Sequence, residues 1–118
     1  LLEISNINTK AGIEYSGGSE EFYVEMLEAF TDGAESKADD IRKDHADGNL
    51  KDYRTRVHAL KSTARMIGAN VLADEAFEHE NAAKDEKKDY IDENCDKLLL
   101  HYKETVDTIQ KALELLKN

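Results

Sequence analysis

Apolar residues recur every three or four positions between residues 50 and 67, and this spacing constrains the fold more than any other feature of the chain. Their separations are 3, 4, 3, 4 and 3 residues, through Leu50, Tyr53, Val57, Leu60, Ala64 and Ile67. That period places all of these side chains on one stripe of an α-helix, as in a helix of a bundle. The 118 residues include no proline, so no residue breaks a helix by removing a backbone donor.

One short segment and three more long segments carry helical patterns, and polar or glycine-rich turns separate them. The short segment ends at Gly17-Gly18, and the long ones cover about 20–46, 71–84 and 90–116. Thr31-Asp32-Gly33 either kinks or interrupts the first long segment, and the sequence leaves both open. Gly68 is suited to end the helix over 50–67. The predicted helix N-caps are Asn8, Ser19, Asn49 and Asn70.

Short connections between amphipathic helices imply antiparallel neighbours. The predicted fold is therefore all-α: an up-and-down antiparallel four-helix bundle with a short N-terminal helix across one end, in a single domain over 1–118. A coiled-coil dimer is the structural rival, but the turns at 47–49, 68–70 and 84–89 break the heptads too often. Outside 50–67, the apolar positions expected to face the core are Phe22, Val24, Met26, Leu27, Ala29, Phe30, then more sparsely Ala34, Ala38 and Ile41, and further on Leu72, Ala76, Phe77, Ala83, Ile91, Cys95, Leu98, Tyr102, Val106, Ile109, Leu113 and Leu116.

Charge and cysteine content exclude several classes of function. The formal net charge of −10 argues against nucleic acid as a main partner and against direct contact with an anionic membrane surface. The single cysteine, Cys95, allows no internal disulfide and favours a reducing compartment, and its place on an apolar stripe predicts a small buried hydrophobe rather than a reactive thiol. The charged outer faces predict a monomer. A start at Leu1 without methionine predicts a domain cut from a longer protein.

One stretch inverts the acidic character of the chain. No carboxylate occurs between Asp52 and Asp74. The cations of that stretch are Arg54, Arg56, Lys61 and Arg65. On a helical wheel, three of them lie within about 60° of His58, on the side away from the apolar stripe. His58 is therefore predicted to face outward among cations, a setting that suits an anion.

Three interpretations of His58 compete. The first is a solvated surface histidine, and the second is a metal ligand. Cationic neighbours oppose a metal site, because a ligand histidine normally has carboxylates or further histidines nearby. An H-E-x-x-H metal motif beginning at His79 also fails, because position 83 is alanine. The third interpretation is a nucleophile that accepts a phosphoryl group, whose negative charge nearby cations would stabilise.

The residues from His58 to Ala69, HALKSTARMIGA, resemble the H-x-L-K-[GS]-x-x-x-x-I-G-A signature of histidine-containing phosphotransfer (HPt) domains. The resemblance extends to the segment GIEYSGG over 12–18, to the apolar residues of the helix after it, and to the turn Asp47-Gly48-Asn49-Leu50 before the histidine helix. Within the signature, Ser62 stands where the family most often has glycine.

The resemblance implies a role for each matching residue. His58 matches the histidine that is phosphorylated on its outer ring nitrogen, and Lys61 matches the lysine that neutralises the phosphoryl oxygens. Arg65 lies on the correct face to assist, although a solvated cation is an equal alternative. Ser62 is small enough to let a partner approach. Arg54 and Gly68 are assigned to partner binding, with a purely structural helix cap as the alternative for Gly68.

The sequence thus predicts a phosphorelay carrier of two-component signalling that accepts a phosphoryl group on His58 from a receiver-domain aspartate and passes it to a response-regulator receiver. It is predicted to be a phosphotransfer intermediate rather than an enzyme, without cofactor or metal of its own, since the Mg²⁺ belongs to the receiver. The expected parent is a bacterial hybrid sensor histidine kinase, and the expected location is cytoplasmic, in the cytoplasmic portion of a membrane-bound kinase. The alternative function is a non-catalytic helical module that binds an acidic partner through its basic helix.

Overall fold

The computed structural model describes residues 3–117, so that the predicted domain over 1–118 extends beyond them at both ends. Within these residues the chain forms helices and no strand, which confirms the predicted all-α fold. Four helices form the antiparallel bundle: α3, α4, α5 and α6 each pack on the next, and α6 closes the ring against α3. Helix α1 packs on α2 and α4. In chain order the helices are α1 (Thr9–Tyr15), α2 (Glu20–Thr31), α3 (Ala34–Ala46), α4 (Leu50–Met66), α5 (Asn70–Lys84) and α6 (Lys88–Lys117).

The first predicted long helix is interrupted rather than kinked, at Gly33. This residue has a φ of +72°, which glycine adopts without steric strain because it has no Cβ. On both sides of the break the chain packs against α6. The ring centroids of Phe30 and Tyr102 are 5.7 Å apart, and His45 Nε2 lies 2.8 Å from Asp92 Oδ1. Helices α2 and α3 therefore lie end to end along α6, antiparallel to it.

Three of the predicted helix caps are confirmed. The side chains of Asn8, Ser19 and Asn49 each accept a hydrogen bond from the backbone N–H three residues further on. These caps satisfy donors that the first turn of a helix leaves without an intrahelical acceptor. The starts of α1, α2 and α4 are thus set by local sequence.

The fourth predicted cap, Asn70, is wrong, and the reason lies in how α4 ends. The N–H of Gly68 donates to the carbonyl of Arg65 at 3.1 Å, and the N–H of Ala69 donates to that of Ala64 at 2.9 Å. This is the Schellman arrangement, with Gly68 in the left-handed region at a φ of +83°. The turn is so short that Asn70 is already the first residue of α5 and caps nothing.

The N-terminal segment packs directly on this turn. The N–H of Asn8 donates to the carbonyl of Gly68 at 2.8 Å, and the hydroxyl of Tyr23 donates to the carbonyl of Ile67 at 2.7 Å. A Cβ on Gly68 would lie 2.0 Å from the Asn8 carbonyl oxygen. Glycine is therefore required at this position both by backbone conformation and by space.

Most predicted core residues are at least partly buried, and the exceptions have geometric reasons. Phe22 and Ala29, seven residues apart, share a face of α2 that points to solvent, while Tyr23 is fully buried instead. Leu116 is exposed in the last turn of α6, which at 30 residues is the longest of the described helices. Phe77 is also exposed, next to the candidate site described below.

A polar cluster that the sequence analysis missed lies inside the bundle. His79 is 0% exposed, and its Nδ1 lies 2.8 Å from the Tyr53 hydroxyl oxygen. Burial raises the pKa of Tyr53, so its hydroxyl keeps its proton and is able to donate a hydrogen bond to Nδ1. The Nε2 of His79 has no hydrogen-bond partner within residues 3–117. Cys95 is buried as predicted, and burial raises the pKa of its thiol.

Substituting Gly68 by alanine is expected to destabilise the protein more than the same change at Gly48. Both residues have positive φ, but a Cβ on Gly48 would meet nothing within 4 Å. We expect Gly48→Ala to cost about 1 kcal/mol, from backbone conformation alone. Gly68→Ala adds a clash with backbone and should cost about 3 kcal/mol or more. Urea denaturation of both variants measures the difference, and equal losses would contradict this account of the turn.

The stability of the fold should fall on mild acidification because of His79. Burial lowers the pKa of this imidazole from 6.5 to about 4. Between these values the unfolded chain takes up a proton that the folded chain does not, so the free energy of unfolding decreases as the pH falls. The loss attributable to His79 is about 3 kcal/mol.

The measurement compares the wild type with His79→Gln at pH 7 and pH 4. The glutamine amide oxygen can still accept from Tyr53, but the side chain does not titrate. Acidification should therefore destabilise the wild type more than the variant. A stability difference between the two proteins that is independent of pH would refute the assignment.

Candidate functional site

His58 lies on the outward face of α4. Its side chain is 58% exposed, whereas Val57 and Leu60 beside it are buried, as the helical period predicted. Ala59 and Ser62, which are both small and exposed, flank it. The Ser62 hydroxyl donates to the His58 carbonyl at 3.1 Å, so this side chain lies close to the helix backbone. The imidazole is thus open to a large partner.

A carboxylate that the sequence analysis missed, Glu80 of α5, lies against His58. Its Oε2 is 2.5 Å from His58 Nδ1, and its Oε1 accepts a hydrogen bond from Lys61 Nζ at 2.7 Å. The Glu80 side chain is only 13% exposed and that of Lys61 20%. One carboxylate therefore joins the predicted nucleophile to the predicted phosphoryl-neutralising lysine.

The register of the α4–α5 hairpin explains this contact. His58 and Glu80 each stand eleven residues from Ala69, at the turn, and Lys61 and Phe77 each stand eight. In an antiparallel helix pair, residues equally distant from a tight turn lie side by side. The equal distance of His58 and Glu80 from the turn is thus a signal in the sequence from which their contact could have been predicted.

The bonding of Glu80 determines which ring nitrogen of His58 is free. Burial alone would raise the pKa of Glu80, but hydrogen bonds from Lys61 and His58 outweigh this effect and hold the pKa below its usual value. An ionised carboxylate can only accept hydrogen bonds. Nδ1 must therefore carry a proton, and in the neutral ring the lone pair resides on Nε2. The nitrogen that is free to attack an electrophile is the outer one.

Two of the other cations of α4 are paired with carboxylates, which changes the predicted cationic setting of His58. Arg65 Nη2 lies 3.3 Å from Asp74 Oδ1, and Arg56 Nε lies 3.2 Å from Asp44 Oδ2. The stretch without acids is a local property of the sequence, and neighbouring helices supply the missing carboxylates. Within residues 3–117, Arg54 is exposed and makes no ion pair.

The structure separates Gly68 from the surface that carries His58. Gly68 is buried under the N-terminal segment and shapes the end of α4. Its burial favours the structural role that the sequence left open as the alternative to partner binding. The predicted site residues that share the outward face are His58, Ser62, Arg54 and Arg65, with Lys61 at its edge toward α5.

Another histidine–carboxylate pair that involves Nδ1 lies elsewhere on the bundle surface. His101 of α6 is 52% exposed, and its Nδ1 lies 2.8 Å from Glu75 Oε1. This pair also joins a histidine Nδ1 to a carboxylate, although here Nδ1 lies near both carboxylate oxygens, and no lysine shares the Glu75 carboxylate among the described residues. It offers a matched control for experiments on His58.

The part of the chain that the structure describes contains no group of three or more His, Cys, Asp or Glu side chains placed to hold a metal ion. No helix in it is long and apolar enough to cross a membrane. The groups that the structure brings together at His58 are its exposed imidazole, one carboxylate and one ammonium group.

Comparison with known proteins identifies one family. The family model described as Hpt domain matches residues 25–118, which is most of the chain and includes all of α3 to α6. No curated protein and no solved structure matches the chain.

The tautomer of His58 should depend on Glu80. In the wild type we expect the neutral ring to be protonated on Nδ1, because Glu80 accepts from that nitrogen. Glu80→Ala removes the acceptor, so the ring should become a mixture of both tautomers. Nitrogen chemical shifts of the labelled imidazole measure this directly. Glu75→Ala is the control, because it should change the tautomer of His101 and leave that of His58 unchanged. If Glu80→Ala left the His58 tautomer unchanged, the assignment would be contradicted.

Proposed function

Because the chain belongs to the Hpt domain family, whose function is histidine phosphotransfer in phosphorelays, we propose that His58 is its phosphorylated residue. The domain accepts a phosphoryl group from an aspartate of one receiver domain and passes it to the receiver domain of a response regulator. The observation that carries the proposal is an exposed imidazole whose Nδ1 is bonded to Glu80 and whose Nε2 is open.

The proposed step is an in-line displacement at phosphorus. The Nε2 lone pair of His58 attacks the aspartyl phosphate, so an N–P bond forms while the bond between phosphorus and the aspartate oxygen breaks. The aspartate leaves as a carboxylate with the electron pair of that bond. No proton needs to move, because the ring proton is already on Nδ1. The reverse reaction transfers the phosphoryl group from His58 to an aspartate of the next receiver.

Glu80 and Lys61 stabilise opposite charges of the product. Phosphorylation at Nε2 with a proton on Nδ1 leaves a cationic ring, and the Glu80 carboxylate lies against that proton. Lys61 is close enough to share the same carboxylate, and its ammonium can neutralise phosphoryl oxygens as a point charge. Catalysis in such a site consists of positioning and charge stabilisation.

Docking of a receiver requires an open surface over Nε2. Ser62 and Ala59 keep the surface beside the ring low, since both side chains are small. Arg54 and Arg65 are exposed on the same side of α4 and are assigned to partner contact. Arg65 would have to exchange its Asp74 pairing for the partner, so Arg54 is the more available of the two.

The domain is proposed to act as a carrier rather than as an enzyme in its own right. It needs no cofactor, and the Mg²⁺ of the reaction belongs to the receiver. We place it, as a monomeric unit, in the cytoplasmic portion of a bacterial hybrid sensor histidine kinase. In this context each phosphoryl group arrives from one receiver and leaves to another.

The test follows phosphate onto the domain from a receiver that carries a labelled aspartyl phosphate. Wild-type protein should acquire a base-stable, acid-labile label, as expected of phosphohistidine. His58→Gln should reduce the label to background because it removes the nucleophile. His101→Gln, which changes a second exposed histidine whose Nδ1 is paired with a carboxylate, should label like the wild type.

Two results would overturn the proposal. Equal labelling of the wild type and His58→Gln would place the phosphoryl group elsewhere. Binding of receivers without transfer to the wild type would instead favour a non-catalytic helical module that recognises an acidic partner.

A further inference from the structure

Phe77 is a large aromatic residue exposed at the site rather than buried in the core. It is 44% exposed, although its apolar character predicted a core position. Lys61 Nζ lies 4.9 Å from the centroid of its ring, within the distance at which a cation is attracted to an aromatic face. The same ammonium bonds Glu80 at 2.7 Å. Lys61 is thus held from two sides, by a carboxylate and by a ring.

These two contacts differ in what they do when a phosphoryl group arrives. Glu80 carries a negative charge, so it competes with the phosphoryl oxygens for the ammonium. The Phe77 ring is neutral, and its attraction for a cation does not require the ammonium to give up an anionic partner. A lysine that kept only the carboxylate contact would lose its position as soon as it exchanged partners, because its four-carbon stem is flexible.

We propose that Phe77 is a positioning residue that keeps Lys61 beside His58 while the ammonium moves from Glu80 to the phosphoryl oxygens. This inference rests on the proposed phosphorylation of His58. After transfer, Glu80 retains its bond to the Nδ1 proton, and Lys61 bonds the phosphoryl group while still lying over the ring. Phe77 acts only through Lys61 and touches no reacting atom.

The experiment measures the lifetime of phosphohistidine on the isolated domain. The protein is phosphorylated chemically with phosphoramidate, so that no receiver is needed, and the signal of the phosphorylated ring is followed by phosphorus NMR. Phe77→Leu keeps apolar bulk but removes the aromatic face, and Phe77→Tyr keeps the face. Phe22→Leu is the matched control, since Phe22 is 50% exposed on α2, whereas the site lies on α4 and α5.

We expect Lys61→Met to shorten the lifetime and Phe77→Leu to shorten it by about two- to fivefold, the range expected for an exposed cation–ring contact. Phe77→Tyr should restore the wild-type value, and Phe22→Leu should leave it unchanged. The decisive readout is the double variant: Phe77→Leu should have no further effect when Lys61 is already methionine.

Three outcomes would overturn the inference: no effect of Phe77→Leu, an equal effect in the Lys61→Met background, or a wild-type lifetime in Lys61→Met itself. Failure of the proposed function is a separate result. If phosphoramidate labels His58 but no receiver transfers to it, the relay assignment fails while the lifetimes still decide the role of Phe77.

Discussion

The tight turn between α4 and α5 is the constraint on which the candidate site depends. The left-handed conformation of Gly68 and the backbone hydrogen bonds around it fix the register of the two helices. Residues equally far from Ala69 in the chain therefore face each other. That register brings Glu80 to His58 and Phe77 to Lys61. An extra residue in this turn would shift α5 relative to α4 and rotate it by about 100°. The pairing of imidazole and carboxylate would then be lost, although both helices could remain intact.

Two neighbouring residues of α5 connect the interior of the bundle to its surface. His79 is buried and bonded to Tyr53 of α4, while Glu80, the next residue, reaches outward to His58, also of α4. The buried bond fixes the rotation of α5 about its own axis, since turning α5 would separate His79 from Tyr53. Because consecutive helical residues keep a constant angle between them, the same bond fixes the direction of Glu80. A polar contact in the core thereby positions the carboxylate that contacts His58, which gives a physical reason to keep a titratable residue there.

The sequence predicted the features that depend on near neighbours in the chain, and it did not predict the contacts between residues that are distant in the chain. The apolar stripe from Leu50 to Ile67 predicted that His58 faces outward, and the cap residues Asn8, Ser19 and Asn49 predicted where three helices begin. Both predictions succeed because each feature depends on residues within one or two helical turns. The exposure of Phe22 and Phe77 was not predictable from apolarity alone, since it depends on which face of each helix meets the bundle. Glu80 was not predicted because its contact with His58 spans 22 residues. The pairing of Arg56 and Arg65 was not predicted because their carboxylate partners lie on α3 and α5.

The pairing of the cations changes how recognition at this site has to work. A helix with free arginines and a free lysine would attract any anion, with little selectivity. Here Lys61 is bonded to the largely buried carboxylate of Glu80, so a weakly charged ligand gains little by displacing it, whereas the Arg65–Asp74 pair is exposed and holds Arg65 only weakly. A phosphoryl group carries more charge than one carboxylate at neutral pH, and under the proposed function its covalent attachment to His58 would hold it next to the lysine. Lys61 is therefore neutralised at rest and, under the proposed function, becomes strongly favourable for an anion only when that anion is bound to Nε2, which would suit a carrier that has to release the phosphoryl group to the next partner.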